Sequence, residues 1–555
     1  METLNINNIL SKFIGNNKIL FLVYFIFTML QYPIVYIYIP EYYGKVINSF
    51  KDKSQSLFMF YVKLLVGLYI FEWLFDMGVL VATYFIVPKF TEYATGTIFE
   101  FIIDHYENDF ENISMGEILS KIIRLPHILF TYIDVFKNEI LKYAFVFISG
   151  FIHFYGVTSG SCITYTIFVI INYIYMYVMY KLFNQYEEKS NRIQDEMYEA
   201  LIDCMNNLAT IYTFNQEENE KKRFYSFSFA DYKTILLKIR SMYIYGNAFW
   251  GCIVVSMFII MNYIIYNAYL KKFINTEKLI STFVITYSII RMIENVERSS
   301  YNLSNIQGQI KDSERFFNEI SKVNKSNKKV DTTFKNGDIV IKNVYHKYDE
   351  DFVLENINIE IKQGEKIAFV GQIGSGKSTL VKIIMGFQQL KMGDITICGN
   401  SINKIANKDL RNNIFYIPQK PKLFNRTLYE NIVYGIKKPP SKEEILNILG
   451  DLELDDIKAE FVDRMDLKAG IEGNKLSGGQ RQIVWLLRAF FRVSRILIMD
   501  EPTAALDPAN KQKMIHVIKK LTIGKTLIIV SHDSIDEAFR KIEFKEGKLV
   551  SSKYF

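Results

Sequence analysis

Cysteine is scarce: the 555 residues hold four, at Cys162, Cys204, Cys252 and Cys398, and no two form a CxxC pair. That pattern excludes a disulfide framework and a zinc site, and the thiols are expected to be reduced and structural. Proline is scarce too, with 10, while 50% of the chain is hydrophobic and 15% aromatic, a composition that excludes a disordered protein. No Lys/Arg block interleaved with aromatics accompanies the formal net charge of +7. A nucleic-acid partner is therefore not expected, and a chain with membrane spans needs basic cytoplasmic loops in any case. The first apolar run begins too late and continues too long for a cleavable signal peptide, and no small-residue cleavage site follows it.

What is present falls into two unlike parts, in a chain too long for one core. Long apolar runs fill roughly the first 310 residues and ordinary globular sequence the rest, which reads as a transmembrane domain over 1–321, a polar lysine-rich linker over 322–338, and a soluble domain over 339–555. Crossing about 30 Å of hydrocarbon takes about 20 apolar residues. Six stretches meet or approach that length, near 19–39, 57–87, 140–158, 162–180, 242–267 and 279–296.

Two of the connections between these spans, 88–139 and 181–241, are long, polar and helix-patterned. The second carries Lys181, Lys189, Arg192, Lys221, Lys222, Arg223, Lys233, Lys238 and Arg240. Basic loops stay in the cytoplasm, so the long connections, the soluble tail and both termini are expected there. Charges inside spans are costly and default to functional candidates. Glu72 and Asp76 lie one helical turn apart, as do Arg291 and Glu294, and His153 sits in the third span. They either line a polar cavity for cargo or pair among themselves, for instance Arg291 with Glu72 or Asp76. Lys63 is expected to snorkel to the headgroups.

In the tail, strand-like and helical runs alternate as in an α/β domain. The apolar run KIAFV enters Gly371-Gln372-Ile-Gly374-Ser375-Gly376-Lys377-Ser378-Thr379 and then a helical pattern. This is GxxxxGK[ST] in its strand-to-helix setting. Such a loop turns backbone N–H groups towards phosphate oxygens, and the helix N-terminus adds its positive dipole end. Lys377 would meet the β- and γ-phosphates of ATP, and Ser378 would ligate Mg²⁺. The run RILIMDE ends in two carboxylates; Asp500 suits the Mg²⁺ contact and Glu501 the general base that polarises the attacking water.

Leu476-Ser477-Gly478-Gly479-Gln480, about twenty residues before Asp500, resembles the signature of ATP-binding cassette domains, which other P-loop enzymes lack. The whole chain resembles a half-size ABC exporter: an α-helical transmembrane domain of six spans with long cytoplasmic extensions, fused to one α/β P-loop cassette. By this resemblance Tyr348 would stack on adenine and Gln419 would be the Q-loop residue beside Mg²⁺. Asp507 would be the D-loop residue and His532 the switch histidine, while residues 110–122 and 211–224 would carry coupling helices. Two positions depart from the pattern: Ile471, with Glu472 one place later, stands where exporters carry a glutamate, and Ala504 stands where serine is usual.

The resemblance implies that ATP lies between the P-loop of one copy and Ser477 and Gly479 of another, whose N–H groups at a helix start face the γ-phosphate only from the opposing side. A homodimer, or a dimer with a related half-transporter, is therefore expected. Its activity would be ATP hydrolysis driving export of an unidentified substrate. A regulator or ATP-gated channel on the same fold is the rival reading.

Overall fold

The structure is a computed structural model that describes residues 6–51, 53–105, 115–294, 296–323, 337–348, 351–492, 494–503, 508–532 and 538–553. Contacts divide the chain into two units, one within residues 1–322 and the other over Val323–Phe555.

Apolar sequence on every face makes the helices of the first unit long. Five of them are long and apolar enough to cross a membrane: Lys18–Lys51, Gln55–His105, Ser159–Asn206, Glu217–Leu270 and Thr276–Asn318. The 51 residues of Gln55–His105 rise about 77 Å at ~1.5 Å each, well beyond the hydrocarbon thickness. The long connections are thus largely continuations of the spans themselves. Only 11% of that helix's most apolar window is buried, and Trp73, Tyr84 and Phe85 point outward, as a lipid-facing surface requires.

The third expected span is not among the five. Its chain is helical over Met115–Val135, passes through a π turn at Phe136–Leu141 and continues as Lys142–Tyr155. That last apolar piece has only 14 residues, with Glu139 and Lys142 at its start. Among the described residues, five helices rather than six therefore meet the length and composition of a span. Gly156 ends the piece. Thr158 then opens the next helix with a reciprocal cap, its hydroxyl accepting the Ser161 N–H and the Ser161 hydroxyl accepting the Thr158 N–H, both at 3.2 Å.

Of the two alternatives, Arg291 takes pairing, with Glu294 one turn away and not with Glu72 or Asp76. Arg291 binds Glu294 of its own helix at 2.6 Å, and Asp76 accepts from Gln31 Nε2 at 3.3 Å. One-turn spacing makes the local partner the nearer one for Arg291. A further polar network comes from distant segments: Tyr24 donates to Asp134 at 3.3 Å, Asn138 to Asp134 at 3.0 Å and Tyr32 to Asn138 at 2.9 Å.

The second unit is built on two sheets. Strands β1 (Ile339–Tyr348), β2 (Asp351–Ile361), β4 (Met392–Ile397) and β5 (Asn400–Ser401) form an antiparallel sheet in the order β2-β1-β4-β5. Strands β3 (Lys366–Gly371), β6 (Ile414–Ile417), β7 (Ile496–Asp500), β8 (Thr526–Ser531), β9 (Arg540–Lys545) and β10 (Lys548–Lys553) form the other, in the order β10-β9-β3-β8-β7-β6. All neighbours in it are parallel except β10 and β9.

Side chains alternate across a strand, and here both faces are apolar, as a covered parallel sheet demands. Ile367, Phe369, Ile496, Ile498, Ile528 and Val530 enter one core together with Leu380, Val381, Ile383 and Ile384 of helix α1 (Lys377–Ile384) and with Ile341, Leu354 and Ile395 of the antiparallel sheet. Ala368, Leu497, Met499, Leu527 and Ile529 enter the other. There they meet Ile483, Val484 and Leu487 of helix α2 (Gly478–Phe491) and Met514, Val517 and Ile518 of helix α3 (Pro508–Leu521). Helices α1 and α2 therefore lie on opposite faces of one sheet.

Candidate active site

The loop between β3 and α1 is shaped by its glycines. Gly376 caps α1 at φ +93°, and a β-carbon there would stand 2.6 Å from the Val353 carbonyl oxygen, so only glycine fits. At Gly371 a methyl group would run into the Phe544 carbonyl oxygen. Lys377, 3% exposed, folds back into this loop, its Nζ donating to the carbonyls of Gly371 and Gln372 at 2.8 Å each and to Ser375 Oγ at 3.1 Å. All three of these partners are uncharged. Burial lowers the Lys377 pKa, while Glu501 and Asp500 act in the opposite direction. A buried ammonium at a helix N-terminus, facing neutral acceptors, is a site prepared for anionic oxygens.

Parallel strands all deliver their C-terminal ends to the same rim of the sheet, and four of the expected residues follow one another there. Asp500 ends β7; Glu501 comes next, its N–H bonded to the Val530 carbonyl at 2.9 Å. Glu501 holds φ +48°, a costly conformation for a residue with a side chain and one that recurs at functional positions. Its carboxylate receives Gln419 Nε2 and His532 Nε2, and the Nδ1 of His532 is 3.1 Å from the Gly371 carbonyl. Glu501, Gln419 and His532 thus form one cluster tied back to the phosphate loop.

Asp500 is buried, which pushes its pKa up, and hydrogen bonds from Ser378 and Tyr416 pull the other way. Ser378 and Asp500 are two adjacent hard oxygen donors of the kind Mg²⁺ takes, with water and phosphate filling its remaining positions. Among the described residues no group of three or more His, Cys, Asp or Glu could hold a metal unaided.

One participant escaped the sequence reading: Tyr416 donates to Asp500 Oδ2 at 3.3 Å. Alternation does carry a signal for Tyr416: it stands opposite Ile498 in the β6–β7 register, hence on the same sheet face as Asp500, two residues further along.

The remaining expected residues are not part of this cluster. Ser477 caps α2: its hydroxyl accepts the Gln480 N–H at 3.2 Å, its N–H donates to Gln480 Oε1 at 2.9 Å, and Gln480 Nε2 donates to Glu460. Gly478 and Gly479 form the first turn on that other face. Ile471 is 72% exposed, and the neighbouring Glu472 pairs with Lys422 at 2.6 Å. Tyr348 ends β1, but its side chain lies outside the described residues, as do Ala504, Asp507 and all of 110–114.

The profile of the family described as ABC transporter matches residues 354–504, a stretch running from β2 through the phosphate loop and signature to Asp500. Residues 354–504 carry an ABC transporter domain. The chain is 37% identical over 249 residues to the multidrug resistance-like ATP-binding protein MdlB of Buchnera aphidicola, covering 44% of this chain and 43% of that one. It is 37% identical over 227 residues to the transport/processing ATP-binding protein ComA of Streptococcus pneumoniae, covering 40% and 31%. To an ATP-dependent lipid A-core flippase of Francisella tularensis it is 32% identical over 218 residues, covering 39% and 36%. These matches span less than half the length of each relative. Over 98% of the chain and 95% of its counterpart, the fold matches the structure of a bacterial Atm1-family ABC exporter with ATP bound, with a TM-score of 0.80 and 20% identity. That likeness is one of fold, a helical domain followed by an α/β domain, and it extends over nearly the whole chain.

Proposed function

We propose that the chain is a half-transporter that binds and hydrolyses ATP between two copies of its cassette and uses the cycle to export a substrate. The observation that carries the two-copy reading is the placement of α1 and α2 on opposite faces of one sheet: a nucleotide on the phosphate loop is out of reach of the chain's own signature helix, and a second copy supplies Ser477 and Gly479. The relatives' names, a multidrug resistance-like protein, a transport/processing protein and a lipid flippase, support export and leave the cargo open.

In this reading Gly371, Gln372, Gly374, Ser375, Gly376 and Thr379 surround the phosphates. Lys377 leaves its carbonyl partners to hold the β- and γ-oxygens, and Tyr348 stacks on the base. Ser378, Asp500 and Gln419 would hold Mg²⁺, which neutralises developing phosphate charge when bound. Glu501 accepts the proton of the attacking water. His532 and Gln419 fix its carboxylate in place, and the partner's Ser477, Gly478, Gly479, Gln480 and Asp507 close the site. Closure of the cassettes moves the helical unit through its long helices, so that ATP binding and hydrolysis favour different openings.

Complementation between copies tests the arrangement. Lys377→Ala and Gly479→Asp chains, each inactive alone, are co-expressed with different tags and purified as the mixed dimer. ATPase activity returns in that dimer, because one of its two sites is intact. Activity that stays at the level of the parents rejects the shared site. ATP-dependent uptake into inside-out vesicles then tests export, and ion currents without vectorial uptake would favour the channel reading.

A further inference from the structure

At the foot of the parallel sheet, the end away from Asp500 and His532, lies a cavity of about 160 Å³ lined by Gln363, Cys398, Asn413, Ser494, Arg495 and Lys525, among others. At ~30 Å³ per water it has room for about five waters, or for a small oxyanion with part of its hydration shell. Every ionisable or polar side chain named here can donate a hydrogen bond, and among the described residues no carboxylate lines the space. Ser494 is 4% exposed, and its hydroxyl has no hydrogen-bond partner, although a buried hydroxyl left unmatched costs free energy. Lys525 is half-buried with its Nζ on the Ala489 carbonyl at 3.1 Å, and burial lowers its pKa. Burial raises the pKa of the Cys398 thiol, with the positive charge of Arg495 acting the other way. Asp338 stands nearby but outside the lining and accepts the Gln363 N–H at 2.8 Å.

We propose that this cavity is a second anion site of the cassette, binding orthophosphate or an oxyanion of its size through Ser494, Lys525 and Arg495. It is separate from the nucleotide site: Ser494 and Arg495 precede β7, which ends at Asp500, and Lys525 precedes β8, which His532 follows, so about five residues at ~3.3 Å each separate the two ends. Those two strands give a bound anion a rigid connection to the catalytic rim.

The test uses the full chain in lipid nanodiscs with a saturating non-hydrolysable ATP analogue, so that the phosphate loop is filled. Radiolabelled orthophosphate is titrated by equilibrium dialysis, and alkylation of Cys398 is followed by peptide mass spectrometry. Wild type binds one further phosphate per chain, and phosphate slows Cys398 alkylation. Lys525→Met weakens that binding at least tenfold. Ser494→Ala, which removes a hydroxyl with no protein partner and should leave the fold intact, weakens it several-fold. Retained ATPase activity verifies that both variants are folded. Absence of binding beyond the analogue-filled site, or equal binding by wild type and both variants, overturns the proposal. The comparison with the variants reports this cavity whatever the phosphate loop itself binds.

Discussion

The two faces of the parallel sheet are made from the same strands yet do different work. On one, the strand ends run into the phosphate loop and α1, packed beneath an antiparallel sheet. On the other, α2 and α3 cover the strands and present the signature turn. Period-two alternation separates them so cleanly that neighbouring residues, such as Ala368 and Phe369, belong to different cores. Each face is a complete hydrophobic layer, and in the proposed function each carries only part of the chemistry, which is what would make association useful.

The largest expected effects fall on the catalytic rim. Glu501→Gln keeps the shape of the Gln419 and His532 contacts but removes the base, and steady-state ATPase should drop by about 10²–10⁴-fold with ATP still bound. Lys377→Ala should lower turnover by about 10²–10³-fold and weaken ATP binding as well, as measured by nucleotide titration. A mutant with normal turnover would remove that residue from its role.

Core truncations compare the two layers directly. Phe369 and Phe461 are each fully buried, one in each core, and Phe369→Ala or Phe461→Ala should cost about 3–5 kcal/mol in denaturant unfolding of the cassette. A much smaller loss on one side would show that layer to be loosely packed. The cap of α2 is a subtler matter: Ser477→Ala should destabilise by about 1 kcal/mol.

The smallest effect concerns acid. Burial raises the Asp500 pKa in the folded chain, so the ionised carboxylate opposes folding. Stability in the absence of nucleotide should be greatest below the unfolded pKa and be lost as pH rises through the folded one. Asp500→Asn should therefore raise the neutral-pH melting temperature, with the gain shrinking as pH falls. A pH-independent gain would assign the effect to something other than titration.

Much of the cassette was legible because its chemistry is local. The phosphate loop needs glycines at fixed offsets, and an apolar strand ending in Asp-Glu announces a rim carboxylate. Tyr416 escaped because its partner is 84 residues away, although alternation points it to the right face. The helical unit was less legible. Helix existence follows from apolar length, but Tyr24, Asp134 and Asn138 meet through tertiary packing, and Arg291 chose Glu294 over a partner on another helix. The piece at Lys142–Tyr155 shows the limit of apolar length alone, since Glu139, Lys142 and His153 dilute the run that Gly156 ends.

The Gly371 carbonyl oxygen faces both the Lys377 ammonium and the His532 ring. In the proposed function phosphate would draw the ammonium away and leave the imidazole on that oxygen. Loading of the loop would then be felt 161 residues downstream with no movement of the backbone required, and the ring-nitrogen resonances of His532 should report whether the loop is full.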